Sequence, residues 1–187
     1  MTLEEMKKKY LSLIEELNPN SEHLTDDPDI AAKQNEVVNQ NMFKVARFKK
    51  IPKYVEIEVK KGDIIEFADI EKECGYEIYQ VSLVCGANHV SKAGGTVYKF
   101  LEDGTAEIDV FVYPERITEK TKDKAYEFEL SADALEILPY GIAADLLKSD
   151  VSAEYGRIYA EEFEKELARL DSRYQMGFIT FEGGVGI

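Results

Sequence analysis

The spacing of apolar residues changes twice along this chain, and no other feature of the sequence constrains the fold as strongly. Over the first 50 residues apolar side chains recur every three or four positions, as on one face of a helix. Val55, Ile57 and Val59 then alternate with polar residues, which is typical of a half-buried strand. The helical spacing returns after about residue 131. The sequence therefore predicts an α+β fold: a helical bundle from the N- and C-terminal helices, with an inserted antiparallel β region.

Local signals divide the chain into three regions: an N-terminal helical pair over residues 1–50, a β-rich region over 51–130, and C-terminal helices with a glycine-rich tail over 131–187. Thr2 and Glu5 form a capping-box pattern that begins a helix over residues 3–17. Asp27 and Pro28 suit the cap and first position of a second helix, which Pro52 prevents from continuing. The helical parts are expected to form one bundle.

The β-rich region contains several strand patterns separated by turn residues. Strands are predicted over residues 53–60, 64–67, 76–86, 89–92, 95–102 and 104–113, with a further short strand at 126–130. The segment "TVYKFLEDGTAEIDVFVY" predicts a hairpin that turns at Glu102–Gly104.

The last third of the chain predicts a helical hairpin followed by a long amphipathic helix. Ser131 suits a cap, and Pro139 is predicted to begin a second helix in which Gly141 and small neighbours permit close packing. The long helix has apolar residues, many of them tyrosines, at three- and four-residue steps. Tyrosines suit interfaces in which the ring is buried while its hydroxyl stays in contact with water.

The second helix has an unusual cluster of amides, namely Gln34, Asn35, Asn39, Gln40 and Asn41. Amides are mediocre helix formers, so a structural reason for them is expected. They form either a solvated helix face or a hydrogen-bonding seam with a neighbouring element, and the sequence leaves both interpretations open.

Charge restricts the partners that the protein can bind. The net charge of −14 argues against a role that depends on binding phosphates, since nucleic-acid affinity requires Lys and Arg to neutralise the phosphate charges. No apolar run approaches the length of a membrane span, so we expect no membrane partner and synthesis in the cytoplasm. Cys74 and Cys85 have no second pair near them and are expected to be buried free thiols.

Residues that commonly perform catalysis are few. His23 and His89 lie in a polar loop and a probable turn, and we interpret both as surface histidines. Asp26, Asp27 and Asp29 crowd a helix start, where negative charge is favoured, without the glycine that a calcium loop requires. No glycine-rich phosphate loop is present. The sequence thus predicts a protein that is not an enzyme and uses no cofactor or metal.

The aromatic stripe of the last helix and the glycine-rich tail favour a subunit of an assembly. The tail "FITFEGGVGI" is so rich in glycine that its sequence alone is not expected to fix its conformation. The residues predicted to contact a partner are Pro139, Gly141, Tyr155, Tyr159, Phe163, Phe178, Ile179, Phe181, Gly183 and Gly184.

The chain resembles the head-to-tail adaptor (connector) proteins of tailed bacteriophages. The likeness lies in "LTDDPDIAAKQNEVVNQNMFKVARFKKIP", in the strand that leads to "VYPERIT", and in "ELSADALEILPYGIAADLLKSDVSAEYGRIYAEEFEKELARLDSR". The resemblance implies a virion protein that forms a ring, commonly of twelve copies, between the portal protein and a tail or neck protein. It also implies that DNA passes through the ring without specific binding, and that the tail docks on the portal through Phe178, Ile179 and Phe181. The β region is larger than in the smallest, purely helical connectors.

Two other functions are compatible with the sequence. An acidic DNA mimic would occupy a DNA-binding partner, although such mimics space carboxylates along one surface and here they are interleaved with lysines, as in "EFEKELARLDSR". An enzyme or carbohydrate-binding module built on the β region would instead require polar groups that converge in a pocket on the strands.

Overall fold

The computed structural model describes residues 1–92, 97–148 and 153–170. They form an α+β fold with helices at both ends and antiparallel strands between them. In chain order the elements are α1 (Leu3–Leu13), α2 (Pro28–Phe48), β1 (Ile51–Val59), β2 (Ile64–Glu66), α3 (Phe67–Cys74), β3 (Ile78–Gly86), β4 (His89–Ser91), β5 (Val97–Phe100), β6 (Gly104–Val112), α4 (Ala132–Leu147) and α5 (Ala153–Leu167).

The starts of α1 and α2 follow the predicted caps, whereas Ser131 occupies the cap position of α4 without a side-chain capping hydrogen bond. The Thr2 hydroxyl accepts from the Glu5 amide and the Glu5 carboxylate accepts from the Thr2 amide, which completes the capping box of α1. Asp27 accepts from the amides of Asp29 and Ile30 at the start of α2. However, α1 ends at Leu13, four residues earlier than predicted, because Glu15 turns into the left-handed region with φ of 61°.

Helices α1, α2, α4 and α5 form one bundle around a common core. Helix α4 packs against α1, α2 and α5. The core also includes side chains from the segment between β6 and α4, such as Tyr113, Ile117 and Phe128. The β-rich region predicted to extend to residue 130 therefore ends its strands at Val112, and the expected strand at 126–130 is reduced to a single bridge between Thr2 and Glu127.

Two three-stranded antiparallel sheets make up the β region. The first has the order β1-β6-β3 and the second the order β2-β5-β4. The inner face of the first sheet, with Val55, Ile108 and Val110, shares a separate core with Ile70 of α3 and Phe100 of β5. The alternation predicted for β1 is confirmed, because Val55 and Val59 are buried while Glu56 and Glu58 are exposed.

The predicted hairpin between β5 and β6 is wrong. Strand β5 pairs with β2 and β4, whereas β6 pairs with β1 and β3, so the chain changes sheets at residues 101–103. The Leu101 amide donates to the Asn88 carbonyl instead of closing a turn with β6. Alternation identifies a strand but not its partner, and here burial of both sheets against a shared core decided the pairing.

Two helical features also differ from expectation. Phe67, which was predicted to end a strand, instead begins α3, and residues 68–74, which the sequence analysis did not assign, complete this helix up to Gly75, which has a φ of 77°. Pro139 lies inside α4 instead of beginning a new helix. An internal proline costs about 3 kcal/mol. Burying each large apolar side chain of α4 contributes about 1.5–3 kcal/mol, so packing keeps the helix continuous through the proline.

Candidate interaction surfaces

Groups that could perform catalysis are dispersed in the described part of the chain. Its residues contain no group of three or more His, Cys, Asp or Glu side chains able to hold a metal ion. His23 is exposed in the loop before α2. His89 is half-buried in β4, with its Nδ1 atom 3.2 Å from the Ala87 carbonyl oxygen. Cys74 is half-buried and Cys85 is exposed, which corrects the expectation of two buried thiols, because β3 leaves Cys85 on the open face of its sheet.

A large cleft lies among the helices. It has a volume of about 1060 Å³ and lies between α1, the first half of α2 and residues 117–124. On its wall the buried ammonium of Lys7 is paired with Asp123 at 2.8 Å. Five carboxylates and three lysines line the cleft together, so neither sign of charge is present alone.

Three of the predicted partner contacts are internal to the subunit. Pro139 and Gly141 are buried in α4, and Phe163 of α5 is only 3% exposed. A β-carbon at Gly141 would lie 2.4 Å from the Asn41 Oδ1 atom and 2.9 Å from the Phe163 ring. The sequence analysis placed these residues at an interface between copies; they instead hold α4, α5 and α2 together, because a glycine lets the helices approach each other closely.

The outward part of the aromatic stripe lies at the start of α5. Tyr155 is 65% exposed and Ile158, one turn later, is 54% exposed. Tyr159 is half-buried, and its hydroxyl donates to the Leu13 carbonyl oxygen at 2.6 Å. Ile158 was not singled out from the sequence, although its three-residue spacing from Tyr155 is the signal that would have identified it. Phe178, Ile179, Phe181, Gly183 and Gly184 lie outside the described residues.

Three of the five α2 amides, Gln34, Asn39 and Asn41, are buried and form a hydrogen-bonding seam, whereas Gln40 is exposed to solvent, so each of the two open interpretations holds for part of the cluster. Gln34 accepts from the Tyr10 hydroxyl at 3.0 Å. Asn39 both donates to and accepts from the backbone of Ile117, each at 2.8 Å. Asn41 donates to Asp145 of α4 at 2.9 Å. Each of these three amides thus connects α2 to another segment of the same subunit, whereas Gln40 donates to Glu36 within α2 itself.

The outer face of the first sheet is open and acidic. We call the exposed or half-buried carboxylates of Glu56, Glu58, Glu107 and Asp109 the acidic sheet face. Glu56 lies directly opposite Glu107 across the β1–β6 ladder. Among the described residues, no Lys or Arg forms an ion pair with these four carboxylates. Directly opposed like charges destabilise a strand pair, so this face is electrostatically unfavourable in an isolated subunit.

Two large side chains lie among these carboxylates. Tyr54 is 50% exposed and Leu83 is 52% exposed, and both are paired in register with Asp109, one on each side of β6. The Tyr54 hydroxyl donates to Glu56 at 3.0 Å. Partial desolvation, this hydrogen bond and the nearby Glu107 raise the pKa of the Tyr54 phenol to about 12. The face therefore combines an apolar centre with a negative surround.

Comparison with known proteins adds no family to these observations. No protein-family model matches the chain, and no curated protein matches it significantly. Within the described ranges, none of the helices is both long and apolar enough to cross a membrane. The interpretation of function therefore rests on the surfaces described above.

Proposed function

We propose that the protein is a structural subunit of a head-to-tail adaptor ring in a tailed-phage virion, where it joins the portal to the tail or neck and gives DNA a passage. The observation that supports this proposal best is the uncovered pair Tyr155 and Ile158 on α5. Large apolar residues are enriched at the centres of protein interfaces, and Tyr159 and Phe163 of the same stripe are already used inside the subunit. An assembly partner would remove this pair from water.

The charge of the protein supports a conduit role. A wall that bound phosphates would retain the genome, whereas a subunit with a net charge of −14 gives a ring a strongly negative potential. Shape, packing and repulsion then perform the function, and neither a catalytic group nor a cofactor is required. The proposed location is the virion, after synthesis in the host cytoplasm, with the portal protein and a tail or neck protein as partners.

The test is binding to a portal ring, measured with purified portal and with purified virions. Replacing the exposed pair, Tyr155→Ser with Ile158→Ser, should abolish association with the portal–adaptor assembly without lowering the melting temperature, because both side chains are already in water. The control is Arg157→Ser, whose side chain is 72% exposed between them. Removal of residues 183–187 should weaken portal binding separately. Normal binding and virion incorporation by the double variant would contradict the proposal.

A second candidate, an acidic DNA mimic, is favoured by the acidic sheet face, whose carboxylates have no cationic partners among the described residues. Against it, cations lie among the acids of α5, as in the pairs Arg157–Glu161 and Lys165–Glu162. A mimic would be a strict monomer that competes with DNA for a DNA-binding protein. Absence from virions together with such competition would favour the mimic over the adaptor.

A further inference from the structure

A concentrated positive surface lies at the end of α2, in a chain that is otherwise strongly acidic. Residues 43–53 contain five Lys or Arg residues and no Asp or Glu. We call four of these cations, with one aromatic ring among them, the basic strip: Lys44, Arg47, Phe48, Lys49 and Lys50. Phe48 is 40% exposed, so the strip also has an apolar centre.

The cations of the strip are available to a partner. Lys44 and Lys49 pair with Glu164 and Asp133 at the surface, and exposed ion pairs of this kind contribute only about 0–1 kcal/mol. Arg47 donates through Nε to the Tyr113 hydroxyl, and the Lys50 Nζ atom lies 4.4 Å from the centroid of the Phe111 ring. No carboxylate among the described residues forms an ion pair with Arg47 or Lys50, so two positive charges are left uncompensated.

The strip and the acidic sheet face are complementary. One is an exposed aromatic ring surrounded by cations, and the other is Tyr54 and Leu83 surrounded by carboxylates. The Lys50 end of the strip lies along the same surface as the acidic sheet face, because Phe111, which lies beneath Lys50, shares the outer face of β6 with Asp109 and Glu107. The surface is therefore positive at the bundle end and negative toward the far end of β6.

We propose that the acidic sheet face of one copy docks on the basic strip of a second copy of this chain, head to tail. This inference rests on the proposed function, since a head-to-tail contact between two different patches repeats from copy to copy and closes a ring when the rotation permits. Docking would place cations against Glu56 and Glu107 and relieve their cross-strand repulsion. It would also cover Phe48, Tyr54 and Leu83.

A second copy fits the strip better than nucleic acid does. A second copy presents carboxylates together with the exposed Tyr54 and Leu83, which can cover Phe48, whereas the backbone of a duplex presents phosphates without an apolar surface. At about 0.1 M salt the Debye length is about 10 Å, so the contacting patches dominate over distant charges. Nucleic-acid binding by the strip is accordingly an outcome of the test and not part of the proposal.

Sedimentation velocity of the full chain over a range of protein concentrations tests the contact. In about 0.1 M NaCl we expect species larger than a dimer that grow with concentration, and in about 1 M NaCl, where the Debye length is about 3 Å, we expect monomers. The variants Glu107→Lys and Lys50→Glu should each raise the dissociation constant about tenfold or more. A chain with both substitutions has the two patch charges exchanged and should recover association.

Matched controls change the net charge equally at distant exposed sites. Lys124→Glu, with a side chain 86% exposed, matches Lys50→Glu, and Glu161→Lys, 74% exposed, matches Glu107→Lys. Both controls should associate like the unmodified chain. Glu107→Lys should also leave the fold intact, because it places a lysine opposite Glu56. Loss of association with an unchanged or higher melting temperature thus distinguishes docking from misfolding.

Several results would overturn the inference: monomers at every concentration in about 0.1 M NaCl, controls that disrupt association as strongly as the patch variants, or a closed dimer that does not grow. So would labelled duplex DNA that binds the strip and is lost with Lys50→Glu, in the absence of self-association. The portal-binding test is independent. Portal binding and virion incorporation without copy-to-copy docking would leave the adaptor function standing and reject only this contact.

Discussion

At the scale of single residues, the molecule depends on a few polar or small side chains placed where two helices meet. Asn39 and Asn41, on the buried side of α2, form hydrogen bonds with groups in other segments. Gly141 provides the space that the Phe163 ring fills. Their substitution should therefore affect stability more than substitution of their exposed neighbours.

Gly141→Ala tests the close approach of α4 and α5. Alanine improves helix propensity by about 1 kcal/mol, but its β-carbon would overlap the Asn41 Oδ1 atom and the Phe163 ring. We expect a net loss of about 1–3 kcal/mol in the free energy of unfolding, measured by urea denaturation. Gly156→Ala is the comparison, because its nearest neighbours, the Leu147 β-carbon and the Ala144 carbonyl oxygen, lie at 3.1 and 3.3 Å and need to move by only a few tenths of an ångström. Equal stability of the two variants would contradict the packing argument.

Asn39→Ala tests the amide seam. The substitution leaves a buried amide and a buried carbonyl of Ile117 without their side-chain partner, which costs about 1–3 kcal/mol in the free energy of unfolding. Gln40→Ala, on the exposed side of the same helix, should change this free energy by about 0.5 kcal/mol or less. If both alanine variants unfold at the same urea concentration, the seam does not stabilise the bundle.

At the scale of elements, the β1–β6 ladder combines strong pairing with an unfavourable outer face. The strands pair over nine residues each, and the inner side chains Val55, Ile108 and Val110 are buried. On the outer face Glu56 and Glu107 oppose each other without a cation from the described residues. Burial of the inner side chains therefore holds the two strands in register although this register brings two carboxylates together on the outer face.

Glu107→Lys should stabilise the isolated subunit. It converts an opposed pair of like charges into an attractive pair, with an expected gain of about 0.2–1 kcal/mol in the free energy of unfolding at low salt. The measurement is thermal unfolding at about 1 M NaCl as well as at low salt, because screening should remove most of the gain. Glu107→Gln should give a smaller gain. A lower free energy of unfolding in the lysine variant would contradict the conclusion that Glu56 and Glu107 repel each other.

At the scale of the whole molecule, an aromatic ladder joins the bundle to the sheets. The ring of Tyr79 in β3 lies 6.3 Å from that of Phe111 and 4.9 Å from that of Tyr113, and its hydroxyl donates to the Ala46 carbonyl of α2 at 3.0 Å. Tyr79 and Ile51 pack against the bundle core, and Ile51 also contacts the sheet core. The ladder therefore couples the two hydrophobic cores at the point where the basic strip is located.

This junction should weaken at high pH. Burial raises the pKa of the Tyr79 phenol to about 12, whereas an unfolded tyrosine loses its proton near about 10. Between these values the unfolded chain binds fewer protons, so the free energy of unfolding should fall as the pH rises from about 10 to about 12. Tyr79→Phe should show a shallower fall over this range in urea denaturation. An identical slope for both proteins would show that Tyr79 does not contribute.

Local sequence determined most of the segments that become helix or strand, with α3 and residues 126–130 as the exceptions. Thr2, Glu5, Asp27 and Pro28 specify two helix starts through bonds to amides within three residues, and the alternation around Val55 identifies a half-buried strand. Such signals need no distant partner, which is why the α+β class, the caps and the closing helix were predictable. The exposure of Tyr155 was expected on the same basis.

Only the tertiary structure decided what each element packs against. It placed β5 and β6 in different sheets, kept α4 continuous through Pro139, and buried Phe163 and Gly141 inside one subunit. It also brought carboxylates that are distant in sequence, such as Glu56 and Glu107, onto one face. The physical reason is that burial and charge proximity depend on neighbours in space, and periodicity along the chain does not specify those neighbours.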